Sequence, residues 1–309
     1  MLVKSRTKSM EMHLYLSLGS RMTLLEKEKQ YLWNMEKGYE GECMFDALTE
    51  KLEGCDNLIL NDLLLKHNNT TFQIDSLIIT PRNAYLFEVK NFEGDYIYDT
   101  RTDQLHVKAN SKGYEVTNPL NQLNRCNSLL RQLLNSCGFN LPIIASVVFI
   151  NSEFTLYQAP PDKPFIHPTQ INRYLKGLQK DSSSFKLTKM HTALAEKLTS
   201  LHIVDSPFKT LPEYSYDQVG KGLMCASCSS LSVVVEGRSA RCVRCDKVET
   251  LEEIVLRHVG EFRMLFPDRP FSTKNIHEWC RQIESQKTIK RILDKHFSIK
   301  GSNRWSYFE

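Results

Sequence analysis

A chain of 309 residues, 41% apolar and 25% charged, is long enough to bury a proper core and has the make-up of a globular protein. The run "IIASVVFI" (Ile143 to Ile150) falls far short of the ~18 apolar residues of a membrane span, so no membrane association is expected. The formal net charge is +4, yet residues 270–309 hold eight Lys/Arg against four Asp/Glu, so the excess sits wholly at that end. This suits a polyanion partner or, equally, a solvated basic helix face.

The first residues, "MLVKSRTKSMEMHLYLSLGSRM", mix basic residues with an apolar patch broken by Glu11, His13 and Ser17. They lack the apolar core and cleavage site of a secretory leader. Residues 1–35 are expected to be a helical extension. A helix over Glu40 to Leu52 would place Met44, Phe45, Leu48 and Leu52 on one face. "NLILNDLLLK" (Asn57 to Lys66) reads as a strand, as do "DYIYD" and "QLHVKA" further on. Asn118 and Pro119 suit the N-cap and first position of a helix with Leu123, Leu130, Leu133 and Leu134 on its apolar face. "PIIASVVFI" is apolar without alternation, as in a strand buried on both faces. A helix near Lys186 to His202 completes a mixed α/β domain over residues 36–204. Residues 205–222, with two prolines and two glycines, read as a linker, 223–248 as a cysteine module and 249–309 as mostly helical.

Between Phe72 and Gly94 lies "FQIDSLIITPRNAYLFEVKNFEG", two apolar strands carrying Asp75, Glu88 and Lys90. With "TPRN" as a four-residue loop, Ile79 pairs with Ala84, Asp75 falls opposite Glu88 and Gln73 opposite Lys90. Alternation then puts Asp75, Glu88 and Lys90 on one face. Directly opposed residues have Cβ atoms ~4.5–5.5 Å apart, and two carboxylates that close need a proton or a cation between them. That suits Mg²⁺, which takes a few carboxylates and waters. The other reading is a surface hairpin with one solvated polar face, and a one-residue change of register would break the pairing.

The stretch "FQIDSLIIT…YLFEVKN" resembles the core of the nuclease-related (NERD) domain, of the PD-(D/E)xK nuclease superfamily. "KGYEGE" (Lys37 to Glu42) resembles that family's Gly-Glu motif, with Glu42 at the start of the first core helix. "NPLNQ" (Asn118 to Gln122) resembles its Asn-Pro-x-x-Gln motif. The superfamily's proline before the Asp is absent, since Ile74 precedes Asp75. The resemblance implies a restriction-endonuclease-like core in which Asp75, Glu88 and the Val89 carbonyl hold Mg²⁺ or Mn²⁺. Glu42 would complete the acidic cluster, directly or through water. Lys90 would orient or deprotonate the attacking water and stabilise charge on the phosphate, and Gln122 would position a water or a phosphate.

Nine cysteines are present. Cys225, Cys228, Cys242 and Cys245 give C-x₂-C-x₁₃-C-x₂-C, the spacing of a four-thiolate zinc ribbon, with a hairpin turning near Gly237. Four thiolates leave no open position, so this zinc is expected to be structural. Cys43, Cys55, Cys126, Cys137 and Cys280 show no such spacing. The whole pattern fits a reducing cytoplasm better than a disulfide framework.

In the basic tail, two short helices around a turn near Gln282 to Ser285 are expected, with Ser285 capping the second. Ile289, Ile292, Leu293 and Phe297 share one face of it, and Lys287, Lys290, Arg291 and Lys295 lie largely on the other. This fits a helix-turn-helix on DNA, with Arg304, Trp305 and Tyr307 on a wing-like hairpin, or a helical cap with a charged face. The expected function is metal-dependent hydrolysis of DNA, or alternatively RNA. A non-catalytic DNA-binding protein that keeps the nuclease fold, and an interaction protein docked through the ribbon, are the other classes.

Overall fold

The computed structural model describes residues 1–52, 56–108, 113–204, 210–281, 283, 285–301 and 307–309. In chain order the elements are β1 (Leu2–Lys4), α1 (Met10–Arg21), α2 (Glu26–Thr49), β2 (Leu58–His67), β3 (Thr70–Ile79), β4 (Ala84–Lys90), β5 (Gly94–Asp99), β6 (Gln104–Val107) and β7 (Glu115–Val116). Then come α3 (Pro119–Ser136), β8 (Ile143–Phe149), β9 (Phe154–Tyr157), β10 (Phe165–Ile166), α4 (Ile171–Ser182) and α5 (Lys189–Ser200). The last part holds β11 (Val233–Glu236), β12 (Ser239–Cys242), β13 (Val248–Thr250), α6 (Leu251–Leu265), α7 (Thr273–Cys280), α8 (Gln286–His296), β14 (Ile299–Lys300) and β15 (Tyr307–Phe308). The chain is thus mixed α/β and forms two compact units: Met1–Ser9 with Asn34–Pro207, and Met10–Trp33 with Phe208–Glu309.

The first unit is built on a mixed sheet of order β1-β2-β3-β4-β8-β10. Strands β2, β3 and β4 run antiparallel, whereas β8 lies parallel to β4 and β1 parallel to β2. A second sheet has the order β7-β6-β5-β9. Alternation along β4 divides the core. Ala84 and Leu86 join Leu77, Leu123, Leu130 and Leu198 on one side, and Tyr85, Phe87 and Val89 join Phe45, Leu175 and Leu178 on the other. Glu88 therefore belongs to the face covered by α3, while α2 packs Phe45 against Phe87 on the opposite face, ring centroids 5.1 Å apart.

Three expectations are corrected. Residues 1–35 are not one helical extension: Leu2–Lys4 form an edge strand, with Leu2 paired to Ile59 and Lys4 to Leu60. The sequence signals a new helix near Glu40, but α2 runs unbroken from Glu26 to Thr49, so Glu42 sits inside it and not at its start. That stretch contains no proline, and Gly38 and Gly41 together cost only ~2 kcal/mol of propensity, which packing overrides. Residues 210–222 lack regular structure but are no loose linker. Gly220 N donates to Arg21 O (2.7 Å), Gly222 N to Trp279 O (2.8 Å), and Val219 is buried.

That packing belongs to the second unit, whose centre is Arg21. Its fully buried guanidinium reaches both oxygens of Glu261 and the carbonyls of Gly220 and Gly222, 4.0 Å over the Trp279 ring. Around it lie a three-stranded sheet of order β11-β12-β13, the helices α6, α7 and α8, and the β14–β15 hairpin.

Candidate functional site

Strands β3 and β4 pair in the expected register, Ile79 with Ala84 through Ser76 with Phe87. The ladder stops one pair short of Asp75 and Glu88. There the Asp75 side chain takes over from the backbone, and its Oδ2 accepts from Val89 N at 2.8 Å. Asp75 and Glu88 are buried, 4% and 1% exposed, so the solvated-hairpin reading does not describe them. Lys90 Nζ lies 2.6 Å from Glu88 Oε1 and donates to Gln122 Oε1 at 3.2 Å. Gln122 arrives in the first turn of α3, which starts where expected: Asn118 Oδ1 caps Leu120 N at 3.0 Å and Pro119 follows.

Glu42 comes from α2. Its neighbour Gly41 is packed so tightly that a Cβ there would lie 2.5 Å from Asn91 Cβ and 3.1 Å from Ile150 Cγ2. Asn91 in turn donates to Lys37 O (2.8 Å) and accepts from Asn151 Nδ2 (3.1 Å), fixing α2 against the ends of β4 and β8. Glu42 is turned towards Arg6, whose Nη1 it accepts. Arg6 also donates through Nε to Asp46 Oδ2 (2.9 Å), and through Nη2 to Asp46 Oδ1 (3.1 Å) and the Asp75 carbonyl (2.6 Å). Sequence reasoning missed Arg6, Asp46 and Asn91. Nothing local marks Arg6 in "VKSRTK", whereas Asp46, one helical turn beyond Glu42, was legible as a second acid on that face.

Burial, and then the Asp75 charge, push both Glu42 and Glu88 up to about 8. Burial likewise raises Asp75, against the pull of Lys90 and the Val89 N–H. Burial alone would lower Lys90, but Glu88 and Asp75 outweigh it and hold the ammonium charged beyond its ordinary range. Cys126, beneath the acids, donates to Gln73 O at 3.1 Å and is pushed up to about 12 by burial and then by Glu88 and Asp75, which keeps it a thiol.

Residues 37–150 match the family model described as the nuclease-related domain. The chain carries a nuclease-related domain. Searches among curated proteins and solved structures returned no match.

The acids of the nuclease-related domain fit a divalent cation. Glu88 Oε1 is buried, and its neighbour is the Lys90 ammonium, 2.6 Å away. Carboxyls whose pKa values are raised by burial and by one another gain most from a bound cation. Glu42, Asp75 and Glu88 do not converge as one ligand set, however. Among the described residues, the cysteine cluster is the one group of three or more acidic, His or Cys side chains whose ligating atoms all lie within 4.8 Å of one another.

That cluster, Cys225, Cys228, Cys242 and Cys245, lies in the second unit and can bind a metal ion. Each C-x₂-C pair forms the same knuckle. Ser229 N donates to Cys225 O and Asp246 N to Cys242 O, and Ser229 and Asp246, each following the second cysteine, take positive φ (54° and 57°). Sγ–Sγ distances are 3.6 Å for Cys225–Cys245 and for Cys228–Cys242. The hairpin between the pairs turns at Gly237, φ 63°. Cys43, Cys126, Cys137 and Cys280 are free thiols, and Cys55 lies outside the described residues.

Helix α7 ends at Arg281, φ 43°, and Ser285 Oγ accepts from Lys287 N at 3.2 Å as the cap of α8. Ile289, Ile292 and Leu293 are buried, while Lys287, Lys290, Arg291 and Lys295 are exposed. Lys295 is paired with Glu252 at 2.7 Å, which takes its charge out of that row. The hairpin β14–β15 follows α8, and Tyr307 is exposed on it, but Arg304 and Trp305 lie outside the described residues. No described helix is long and apolar enough to cross a membrane.

Proposed function

We propose that the protein is a Mg²⁺- or Mn²⁺-dependent nuclease that hydrolyses phosphodiester bonds of DNA, or alternatively of RNA. One observation carries this reading: two buried carboxylates, Asp75 and Glu88, stand at the end of the β3–β4 ladder, with Lys90 Nζ 2.6 Å from Glu88 Oε1 and tied to Gln122. Asp75 and Glu88, with the Val89 carbonyl, would hold the ion. When bound, the ion supplies a Lewis acid for the phosphate and lowers the pKa of water. Lys90, kept charged by Glu88 and tied to Gln122, is suited to orient water and stabilise phosphate charge and is poorly suited to act as a base. Gln122 holds that ammonium and offers its amide N–H to a water or a phosphate oxygen.

The cysteine cluster would hold one structural Zn²⁺. Lys287, Lys290 and Arg291 on α8, with Arg304, would contact the nucleic-acid backbone. Free cysteines together with a thiolate site suit a reducing cytoplasm. The basic α8 face belongs to a different unit from the acids, which favours DNA binding without catalysis as the second reading.

The test is cleavage of supercoiled, linear and single-stranded DNA by zinc-loaded protein with Mg²⁺ or Mn²⁺, beside Asp75→Asn, Glu88→Gln and Lys90→Ala. Metal-dependent cutting lost in all three variants supports the nuclease. DNA binding without cutting of DNA or RNA supports the second reading.

A further inference from the structure

We infer that Arg6 is a built-in cation that holds Glu42 away from the metal, so that the acidic face binds a single divalent ion through Asp75 and Glu88. The inference rests on the metal-dependent reading above and adds the number of ions and the identity of their ligands.

Geometry comes first. The Arg6 side chain is 3% exposed and engages four of its five N–H groups: Nε and one Nη2 proton on Asp46, one Nη1 proton on Glu42, and the other Nη2 proton on the Asp75 carbonyl. A guanidinium held at that many points is a fixed element of the site. It stands where Glu42 and Asp46, one helical turn apart on α2, would otherwise face the Asp75 backbone with uncompensated charge. Glu42 is thereby bound to a cation already and does not converge with Asp75 and Glu88.

Charge balance points the same way. The cluster contains four carboxylates, Glu42, Asp46, Asp75 and Glu88, against two fixed cations, Arg6 and Lys90. Ionised, it lacks two positive charges, which one divalent ion supplies. Asp62, further out, has Lys4 as its own counter-charge, and Lys4 Nζ bonds the carbonyls of Asn61 and Asp62. A second divalent ion would overcompensate the cluster and would have to displace Arg6 from Glu42. Arg6 therefore acts through Glu42 as a positioning residue and replaces a second metal.

The experiment counts Mn²⁺ bound to the zinc-loaded full chain, from the electron paramagnetic resonance signal of free Mn²⁺. Wild type is expected to bind one ion, lost in Asp75→Asn and in Glu88→Gln. Glu42→Gln is expected to keep that ion with an affinity within about threefold of wild type, below the ~10–100-fold that removing a group supporting a metal ligand costs. Arg6→Ala is expected to bind two ions, the second lost again in Arg6→Ala/Glu42→Gln. Two ions on wild type, a larger loss of affinity in Glu42→Gln, or a folded Arg6→Ala that binds only one ion would each overturn the inference and leave the metal-dependent reading intact. No ion on wild type would overturn both. If Arg6→Ala fails to fold, Glu42→Gln decides alone.

Discussion

Glu88→Gln should make the protein more stable at alkaline pH in the absence of Mg²⁺ and Mn²⁺, although it removes the partner of Lys90. Glu88 is 1% exposed, and its pKa is pushed from 4.5 to about 8 by burial and by Asp75. A carboxyl whose folded pKa lies above its unfolded value binds its proton more tightly in the folded state. Its cost to folding is absent below pH 4.5, grows as pH rises, and is complete above about 8. Fully developed, that shift corresponds to ~5 kcal/mol. That figure already includes the attraction of Lys90; Asp75 and Glu88 share the burden, and a buried glutamine amide carries its own desolvation cost, so a net gain of ~1–3 kcal/mol is expected. For a unit of this size that is a rise in Tm of ~2–10 °C.

Calorimetry of the zinc-loaded protein checks this, in buffers near pH 6 and near pH 8.5. Near pH 6 wild-type Glu88 is protonated in the folded state and only ~2 of the ~5 kcal/mol has developed, so the two proteins should unfold closer together than near pH 8.5. Near pH 8.5 the variant should unfold at the higher temperature. Adding Mn²⁺ should reverse the order, because only wild type gains, by ~2.7 kcal/mol at a hundredfold excess over Kd. A variant that is less stable by the same amount at both pH values would refute the reasoning and make Glu88 a plain structural partner of Lys90.

Gly41→Ala should cost ~1–3 kcal/mol, because its Cβ would meet Asn91 Cβ at 2.5 Å, and the first unit's urea midpoint should fall accordingly. Arg21→Ala leaves Glu261 buried without its partner and should destabilise the second unit by ~3–5 kcal/mol in urea unfolding, with Arg21→Ala/Glu261→Ala losing less. Cys228→Ser should abolish the zinc content measured by mass spectrometry and remove hydrogen-exchange protection from β11 and β12, which the metal staples. Lys287→Glu/Lys290→Glu/Arg291→Glu should weaken DNA binding and flatten its salt dependence, by ~0.9 in log–log slope for each phosphate no longer neutralised.

Some features were legible because short-range physics writes them. The Asn118 cap and Pro119, the β3–β4 register set by "TPRN", the Gly237 turn, and the paired cysteines each depend on a few adjacent residues whose preferences agree with the final fold. The burial pattern of α8 was equally plain, since Ile289, Ile292 and Leu293 recur at helical spacing. The strands β1, β9 and β10 and the helix α4 were not read. A strand of two to four residues has too short a pattern to stand out, whereas α4 carries Ile171, Leu175 and Leu178 at helical spacing and was legible.

By itself, the sequence determined which side chains are the candidates for chemistry: Asp75, Glu88 and Lys90 on two strands, Gln122 at a helix start, and four cysteines in pairs. Tertiary structure decided what surrounds them. It brought Arg6, just beyond an edge strand, onto Glu42 and Asp46 of a helix about forty residues away, and it made residues 10–33 part of the second unit and not a free extension. It also buried Asp75 and Glu88 deeply enough to raise their pKa values. A residue's type and spacing fix what it can donate or accept, but its charge state and its partner depend on desolvation and on neighbours from distant segments, which exist only once the chain has folded.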